Sequence, residues 1–322
     1  MLYLNTKDIQ SIGINWNETV SVIERTVCSI QQGAYHQPIK SYLKFVDPIN
    51  RIIAMPAYVG ADFNVTGIKW IASFPKNIEK GIQRAHSITI LNNVNTGQPI
   101  ATFNTAIVSG IRTASVSGLI IQEASKVRNL HNLKVGIVGF GPIGLLHLQM
   151  LATLFEKEIS EIRLYDLRAI ETDCIPENVK DRTNIVDTWE EAYEPSDLFI
   201  TCTVSTKRYI DKKPKEGAIL LNVSLRDFTP AIHDYNPIII VDSWEEVCRA
   251  NTDVEVLNKE RGLKKEDTYS ITDVICFNVL REIPTDKILY FNPMGMASFD
   301  ITIAAYYYTQ AVAKGIGLSL EN

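Results

Sequence analysis

The sequence predicts an α/β protein in which a Rossmann-type, doubly wound parallel sheet is inserted into a discontinuous α+β domain. Three observations lead there. From Leu133 onward, nearly continuous apolar runs (VGIVG, LFITC, AILLNV, IIIVD) alternate with helical patterns. That is the texture of strands buried on both faces of a parallel sheet and joined by right-handed crossovers. The run VGIVGFGPIG (135–144) sets glycines at the turn between the first of these strands and its helix. This β-α-β array fills the middle of the chain, so the remaining domain must be built from both ends: 1–115 plus 296–322, with 116–295 between them.

The elements follow in order. Asn17 to Gln32 has helical spacing, with Val20, Val22, Ile23 and Val27 apolar. Arg51–Met55, Gly67–Ile71 and Ser87–Asn92 are rich in β-branched residues and bounded by turn formers, so they read as strands. Asn95-Thr96-Gly97 is a turn, and Pro99–Phe103 resumes a strand. Thr113 to Ala124 is small, apolar and rich in helix formers, hence a helix. LKVGIVG is then a strand, PIGLLHLQMLATLF a helix and EIRLYDL a strand. TWEEAYEPSDLFITCTVS gives a helix and a strand, and GAILLNVSL and IIIVDSW two more strands. After Ile288 the segment LYFNPMGMASFD leads into a C-terminal helix, ITIAAYYYTQAVAKG, whose Tyr306-Tyr307-Tyr308 run suits core or interface packing.

Composition narrows the function. At 322 residues the chain has room for about two domains of roughly 150 residues. It is 46% hydrophobic, which excludes disorder as its main character. A net charge of −5 argues against electrostatic nucleic-acid binding. No stretch of 18 apolar residues marks a transmembrane helix. The start, MLYLNTKDIQSIGINW, lacks the basic and apolar regions of a secretory signal. Cys28, Cys174, Cys202, Cys248 and Cys276 form no CxxC pair and read as buried free thiols of a reducing, cytoplasmic compartment. The histidines His36, His86, His131, His147 and His233 show no metal-ligand spacing, so no metal is expected. His147 fits a helix surface or core, His131 a loop, and His86 could approach Lys69 if their strands pair.

Gly139, Gly141 and Gly144 form G-x-G-x-x-G after an apolar strand and at the opening of a helix, the setting a dinucleotide fingerprint needs. Gly139 allows the tight turn, Gly141 lets backbone approach a pyrophosphate, and Gly144 lets helix and strand pack closely. With Pro142 and Ile143 the helix N-terminus offers N–H groups and a positive dipole end. Asp166, 22 residues after Gly144, suits the ribose hydroxyls and so favours NAD over NADP; Arg168 beside it could instead tolerate a phosphate. Thr203, Val204 and Ser205 end a later strand on the side where ligands sit in open α/β sheets, and they read either as cofactor contacts or as an ordinary strand-to-loop passage.

Outside the nucleotide unit, Gly67-Ile68-Lys69-Trp70 puts a lysine inside an apolar strand, either snorkelling to solvent or serving a site. Arg112 stands just before a helix, where its guanidinium could clamp a carboxylate or join a surface pair. Asp227 follows the strand ending near Val223 and reads as a general base or as an Asx turn before Phe228-Thr229-Pro230.

In this order, HQPIK (36–40), IIAMP (52–56), GIKWI (67–71), SGIRTAS (109–115), VGIVGFGPIG (135–144), TCTVS (201–205), NVSLRD (222–227) and NPMGMASFD (292–300) resemble the ornithine cyclodeaminase/mu-crystallin family over essentially the whole chain. QPIKSYLK, RIIAMP, GIKWI and FNPMGMA are most similar to its N-(2-amino-2-carboxyethyl)-L-glutamate dehydrogenase branch, which supplies 2,3-diaminopropionate for siderophores and peptide antibiotics. The resemblance implies that Lys69 and Arg112 bind substrate, that Asp227 activates water or takes a proton, and that Thr113 touches the cofactor phosphates. Asp300 would lie near the nicotinamide end, and Arg112, Ser224, Met294 and Gly295 would complete the cofactor set.

The same resemblance implies a homodimer formed by the sheets of the discontinuous domain. Its substrate, an amino acid conjugate with three carboxylates, needs several cations; Lys40, Lys69 and Arg112 supply three, with Lys44, Arg84 or Arg226 as extras. Oxidation at the glutamate α-carbon, then addition of water, would release 2-oxoglutarate and L-2,3-diaminopropionate, with Lys69 or Asp227 as base. Two departures matter. Many members have arginine where this chain has Lys40, so a point charge replaces a fork. The cyclodeaminase has a glutamate near Ile53, and its absence here weighs against ornithine cyclisation. A cyclodeaminase-type lyase, an imine reductase and a non-catalytic NAD-binding protein are the alternatives.

Overall fold

The structure is a computed structural model, and it describes residues 1–321. By contacts the chain divides into two compact units: Met1–Ser115 together with the segment from Gly295 onward, and Val116–Met294. Both carry helices and strands, and the second holds the parallel sheet, so the α/β class stands.

The first unit opens with strand β1 (Leu2–Asn5) and helices α1 (Thr6–Ile12) and α2 (Trp16–Gln31). Asn5 and Asp8 form a capping box at α1, and the Asn15 side chain caps α2, which buries Val20, Val22, Ile23 and Val27. Strands β2 (Tyr35–His36), β3 (Ser41–Lys44), β4 (Arg51–Val59), β5 (Val65–Ser73), β6 (Ala85–Asn92) and β7 (Pro99–Asn104) follow. Helix α3 (Ile107–Ser125) closes this N-terminal stretch.

Strand β4 runs past the Met55 expected as its end, straight through Pro56. Along its second edge β3 pairs only with 51–54 and β2 only with 58–59, so Pro56 falls in the gap and no ladder hydrogen bond is missed. Helix α3 starts six residues before the expected Thr113, because the Thr105 hydroxyl accepts from the Ile107 N–H at 3.2 Å and starts the helix there. Arg112 therefore lies inside the helix, not ahead of it.

The second unit is a parallel sheet of β8 (Leu133–Val138), β9 (Ile159–Tyr165), β10 (Thr183–Ile185), β11 (Leu198–Thr201), β12 (Ile219–Asn222), β13 (Ile238–Val241), β14 (Tyr269–Ser270) and β15 (Leu289–Asn292). Helix α4 (Pro142–Leu154) joins β8 to β9. The strand order is β10-β9-β8-β11-β12-β15-β13-β14. The order reverses between β8 and β11, the switch point at which open α/β sheets leave a crevice. LYFN, read from sequence only as a connecting segment, is β15, fully buried between β12 and β13. Its alternation is masked because both faces are covered. Phe199, Phe228, Tyr193 and Tyr290 pack edge to face in the core of this unit.

The chain then returns to the first unit as a long helix (Ala297–Lys314) and strand β16 (Leu318–Ser319), giving the sheet order β16-β1-β7-β6-β5-β4-β2 with β3 beside β4. The long helix packs on α2, β4 and β5. It covers the sheet face that carries Gly67, with Ile301 against that glycine. Among the described residues no helix is long and apolar enough to cross a membrane.

Candidate active site

In the second unit the fingerprint glycines have structural reasons to be glycine. Gly139 has φ +87°, and a Cβ there would lie 2.6 Å from the Cys202 carbonyl carbon; one on Gly144 would lie 2.3 Å from the Gly139 oxygen. Gly141 caps α4 and Pro142 is its first residue. The first intrahelical bond is Leu145 N–H to Gly141 O, 2.9 Å, so the N–H groups of Ile143 and Gly144 have no acceptor inside the helix. This loop can receive a pyrophosphate against bare backbone, with the Arg168 guanidinium beside Gly141, where a Cβ would lie 3.7 Å from Nη2.

Asp166 follows β9. Its Oδ2 accepts from the Phe140 N–H at 2.7 Å and its Oδ1 from the Arg168 N–H at 2.9 Å. The carboxylate thus braces the glycine loop, while the Arg168 side chain stays mostly exposed beside it. His147 of α4 is fully buried. Its Nε2 meets Ser117 Oγ and its Nδ1 the Ile143 carbonyl, both at 2.8 Å, and burial holds its pKa down to about 4. It is a core histidine.

Asp227 also belongs to this unit, and it is no Asx turn. It is fully buried, and the Thr203 and Ser224 hydroxyls, from the ends of β11 and β12, donate to its carboxylate. Burial raises its pKa, opposed by those hydroxyls. The backbone N–H groups of Asp227 and Phe228 both donate to Asp253 Oδ2 at 3.1 Å, and Arg208 Nε donates to Asp253 Oδ1 at 2.6 Å. Burial lifts Asp253 to about 6 against the pull of Arg208. Nothing in the spacing of the sequence pointed to Asp253. Val204 is exposed, Ser205 and Met294 half-buried, and the Arg226 Nη2 donates to Ala250 O at 2.9 Å.

The first unit gathers the other candidates. Lys69 sits on β5 between β4 and β6, opposite Met55 and Thr89, and is 2% exposed, so it does not snorkel. Its Nζ donates to Asp300 Oδ2 at 2.7 Å and to Ser109 Oγ at 3.1 Å. Asp300, in the first turn of the long helix, takes Arg112 Nε on Oδ1 at 3.1 Å. The Arg112 guanidinium lies against Gly295, where a Cβ would come within 2.6 Å of Nη1.

Lys40 is buried and close enough to act on Lys69. Lys69 and Arg112 therefore share one carboxylate, with the Lys40 charge near Lys69. Burial pulls the Lys69 pKa from 10.5 to about 8; Asp300 holds it up, and Arg112 and Lys40 push it further down. Burial favours protonation of Asp300, but Arg112 and Lys69 outweigh it and keep its pKa below the usual value.

Thr113 spends its hydroxyl on the Ser109 carbonyl, 2.8 Å away. His86 pairs with Ala72, an odd number of residues from Lys69, so it faces the other side of the sheet and is exposed. Arg84 lies farther along the Lys69 face, its Nη1 donating to Ser73 Oγ at 3.1 Å. The five cysteines are free but only half-buried, not buried as expected.

The profile of the ornithine cyclodeaminase/mu-crystallin family matches residues 4–315. N-((2S)-2-amino-2-carboxyethyl)-L-glutamate dehydrogenase of Staphylococcus aureus (strain NCTC 8325 / PS 47) is 31% identical over 345 residues, covering 100% of this chain and 98% of that one. Among solved structures, Thermococcus litoralis Δ1-pyrroline-2-carboxylate reductase in complex with NADH and L-proline has a TM-score of 0.88 at 22% identity, covering 99% of this chain and 100% of that one. An archaeal alanine dehydrogenase dimer with bound NAD has a TM-score of 0.80 at 24% identity, covering 100% and 99%.

Proposed function

The chain belongs to the ornithine cyclodeaminase/mu-crystallin family, and we propose that it is the NAD-dependent oxidoreductase that cleaves N-(2-amino-2-carboxyethyl)-L-glutamate to L-2,3-diaminopropionate and 2-oxoglutarate. One observation carries the choice of substrate: Lys69 and Arg112 are buried on Asp300, and Lys40 is buried close enough to act on Lys69, a cluster of cations that suits an acidic substrate. On β4, Ile53 lies on the same sheet face as Lys69 and offers no acid to hold a substrate's distal amine, which disfavours ornithine.

NAD, held at Gly139, Gly141, Pro142, Ile143 and Gly144 with Asp166 toward the ribose, supplies the hydride acceptor. Thr113, Thr203, Val204, Ser205, Ser224, Met294 and Gly295 complete the proposed cofactor set. The chain supplies binding and proton transfer. Arg112 and Lys40 hold carboxylates. Lys69, with a pKa of about 8, has roughly a tenth of its amine neutral at pH 7, enough to take the proton from the substrate's secondary amine. Asp227, with hydroxyls from Thr203 and Ser224 fixing its oxygens, is the candidate base for the water that opens the C=N bond. The product would serve siderophore or peptide-antibiotic assembly in the cytoplasm.

Lys69→Ala tests the reading: NAD binding survives while turnover falls by about a hundredfold or more, the lower end of what a general base contributes. Near-wild-type turnover would remove Lys69 from the mechanism.

We also propose a homodimer joined through the first unit's sheet. The face opposite Lys69 carries Ile68, Trp70, Ile88 and Ile90; Trp70 is 40% and Ile88 39% exposed, a large apolar surface for a lone subunit.

A further inference from the structure

We propose that Arg51 and Arg84, with Ser73 and Ser87, form a second anion subsite that takes a distal carboxylate of the substrate. This rests on the acidic-conjugate reading above and deepens it.

The placement follows from the register. Lys69, Ile71 and Ser73 alternate down one face of β5; Arg51 lies directly across from Ser73 on β4, and Ser87 across from Ile71 on β6. Arg84, just ahead of β6, donates to Ser73 Oγ from Nη1 at 3.1 Å. At about 3.3 Å per residue, Ser73 lies about 13 Å along the strand from Lys69. That separation has the scale of one extended amino-acid conjugate with side chains reaching in from both ends.

The two guanidiniums lack what guanidiniums usually have. Among the described residues neither Arg51 nor Arg84 has a carboxylate within ion-pair distance. Asp47, an acid a few residues before Arg51, is taken by Lys76 at 2.9 Å. Arg51 rests over the Tyr42 ring at 5.9 Å, and its Nε is buried without a hydrogen-bond partner. Ser87 is 5% exposed, and its Oγ likewise has none. Burial depresses the Arg84 pKa, and the charge of Arg51 depresses it further, so the like charges stand close together. Two neighbouring cations and an orphaned buried hydroxyl, on the face that also carries Lys69, are satisfied together by one bound carboxylate.

The test compares N-(2-amino-2-carboxyethyl)-L-glutamate with the analogue whose glutamate γ-carboxylate is a carboxamide. Wild type should prefer the acid by roughly 10- to 100-fold in kcat/KM, the effect of one charge-assisted hydrogen-bonded contact. Arg84→Gln should bring that ratio close to one, mainly through KM, and Arg51→Gln should reduce it. Arg84→Lys, which keeps the charge, should retain much of the preference. A merely damaged fold would lower both substrates together and leave the ratio intact, and an unchanged ratio in both Gln variants overturns the subsite.

Calorimetric binding of tricarballylate, an unreactive tricarboxylate, to the NAD-loaded protein reads the subsite without turnover. Arg84→Gln should weaken it roughly 10- to 100-fold, and equal affinity overturns the proposal. Weakened tricarballylate binding with no turnover of either conjugate would leave the subsite standing and sink the proposed reaction instead.

Discussion

Asp300→Asn isolates the electrostatics on which the proposed chemistry depends. The Lys69 ammonium lies 2.7 Å from Asp300, and that carboxylate is the strongest influence keeping it protonated against burial, Arg112 and Lys40. Removing an opposite charge at such range lowers an amine's pKa by about one to three units. An amine titrating at about 8 then titrates at roughly 5–7, a change of about 1.4–4 kcal/mol in the preference for the neutral form. The sign is fixed: activity that needs neutral Lys69 rises with pH through its pKa, so the rising limb of kcat/KM moves toward acid. The assay is the initial rate of NADH formation at subsaturating substrate across the pH range, with thermal melting to show that the variant is folded. A limb that stays near pH 8, or moves alkaline, refutes Lys69 as the titrating base. A limb that responds to Asp227→Asn and not to Asp300→Asn transfers the role to Asp227.

Three further outcomes are expected. Asp166→Ser should reduce the preference for NAD over NADP by about tenfold, since the carboxylate that disfavours a 2′-phosphate is gone and Arg168 remains; an unchanged ratio of the two dissociation constants counts against Asp166 as the selector. His147 is held to about 4 in the fold against 6.5 for a free histidine, so its contribution is complete above pH 6.5 and lost as pH falls toward 4, about 3 kcal/mol in all. Denaturant titrations of His147→Gln should show that acid sensitivity reduced, and a slope equal to wild type would show that other groups carry it. Trp70→Glu puts a charge on the outward sheet face and should convert dimer to monomer in light scattering; an unaltered mass would place the interface elsewhere.

The nucleotide unit was legible because its chemistry is local. Gly139, Gly144 and the apolar strand before them report a turn and a close approach within about ten residues, and Asp166 is one crossover away. The first unit was harder. Whether Lys69 is buried or snorkels depends on what covers its strand, and that cover begins with Asp300, 231 residues further along the chain. Only the family resemblance put the two in one account.

The helical pattern read from Thr113 leaves Arg112 ahead of its helix, and Ser109 and Gly110 before it are weak helix formers. The Thr105 hydroxyl at the earlier start outweighs their weak propensity, and tertiary packing does the rest. Asp253 and Arg51 carried no signal in the sequence. An acid near a helix start and an arginine opening a strand are common; the burial of Asp253 and the unpartnered Nε of Arg51 exist only in the fold.

The central claim is tested most directly by mixing the protein, NAD and N-(2-amino-2-carboxyethyl)-L-glutamate and following NADH and 2-oxoglutarate together. The expected result is NADH formation matched one for one by 2-oxoglutarate and L-2,3-diaminopropionate. The contradicting result is no NADH from this substrate, or conversion of L-ornithine to L-proline and ammonia with no net change in NADH.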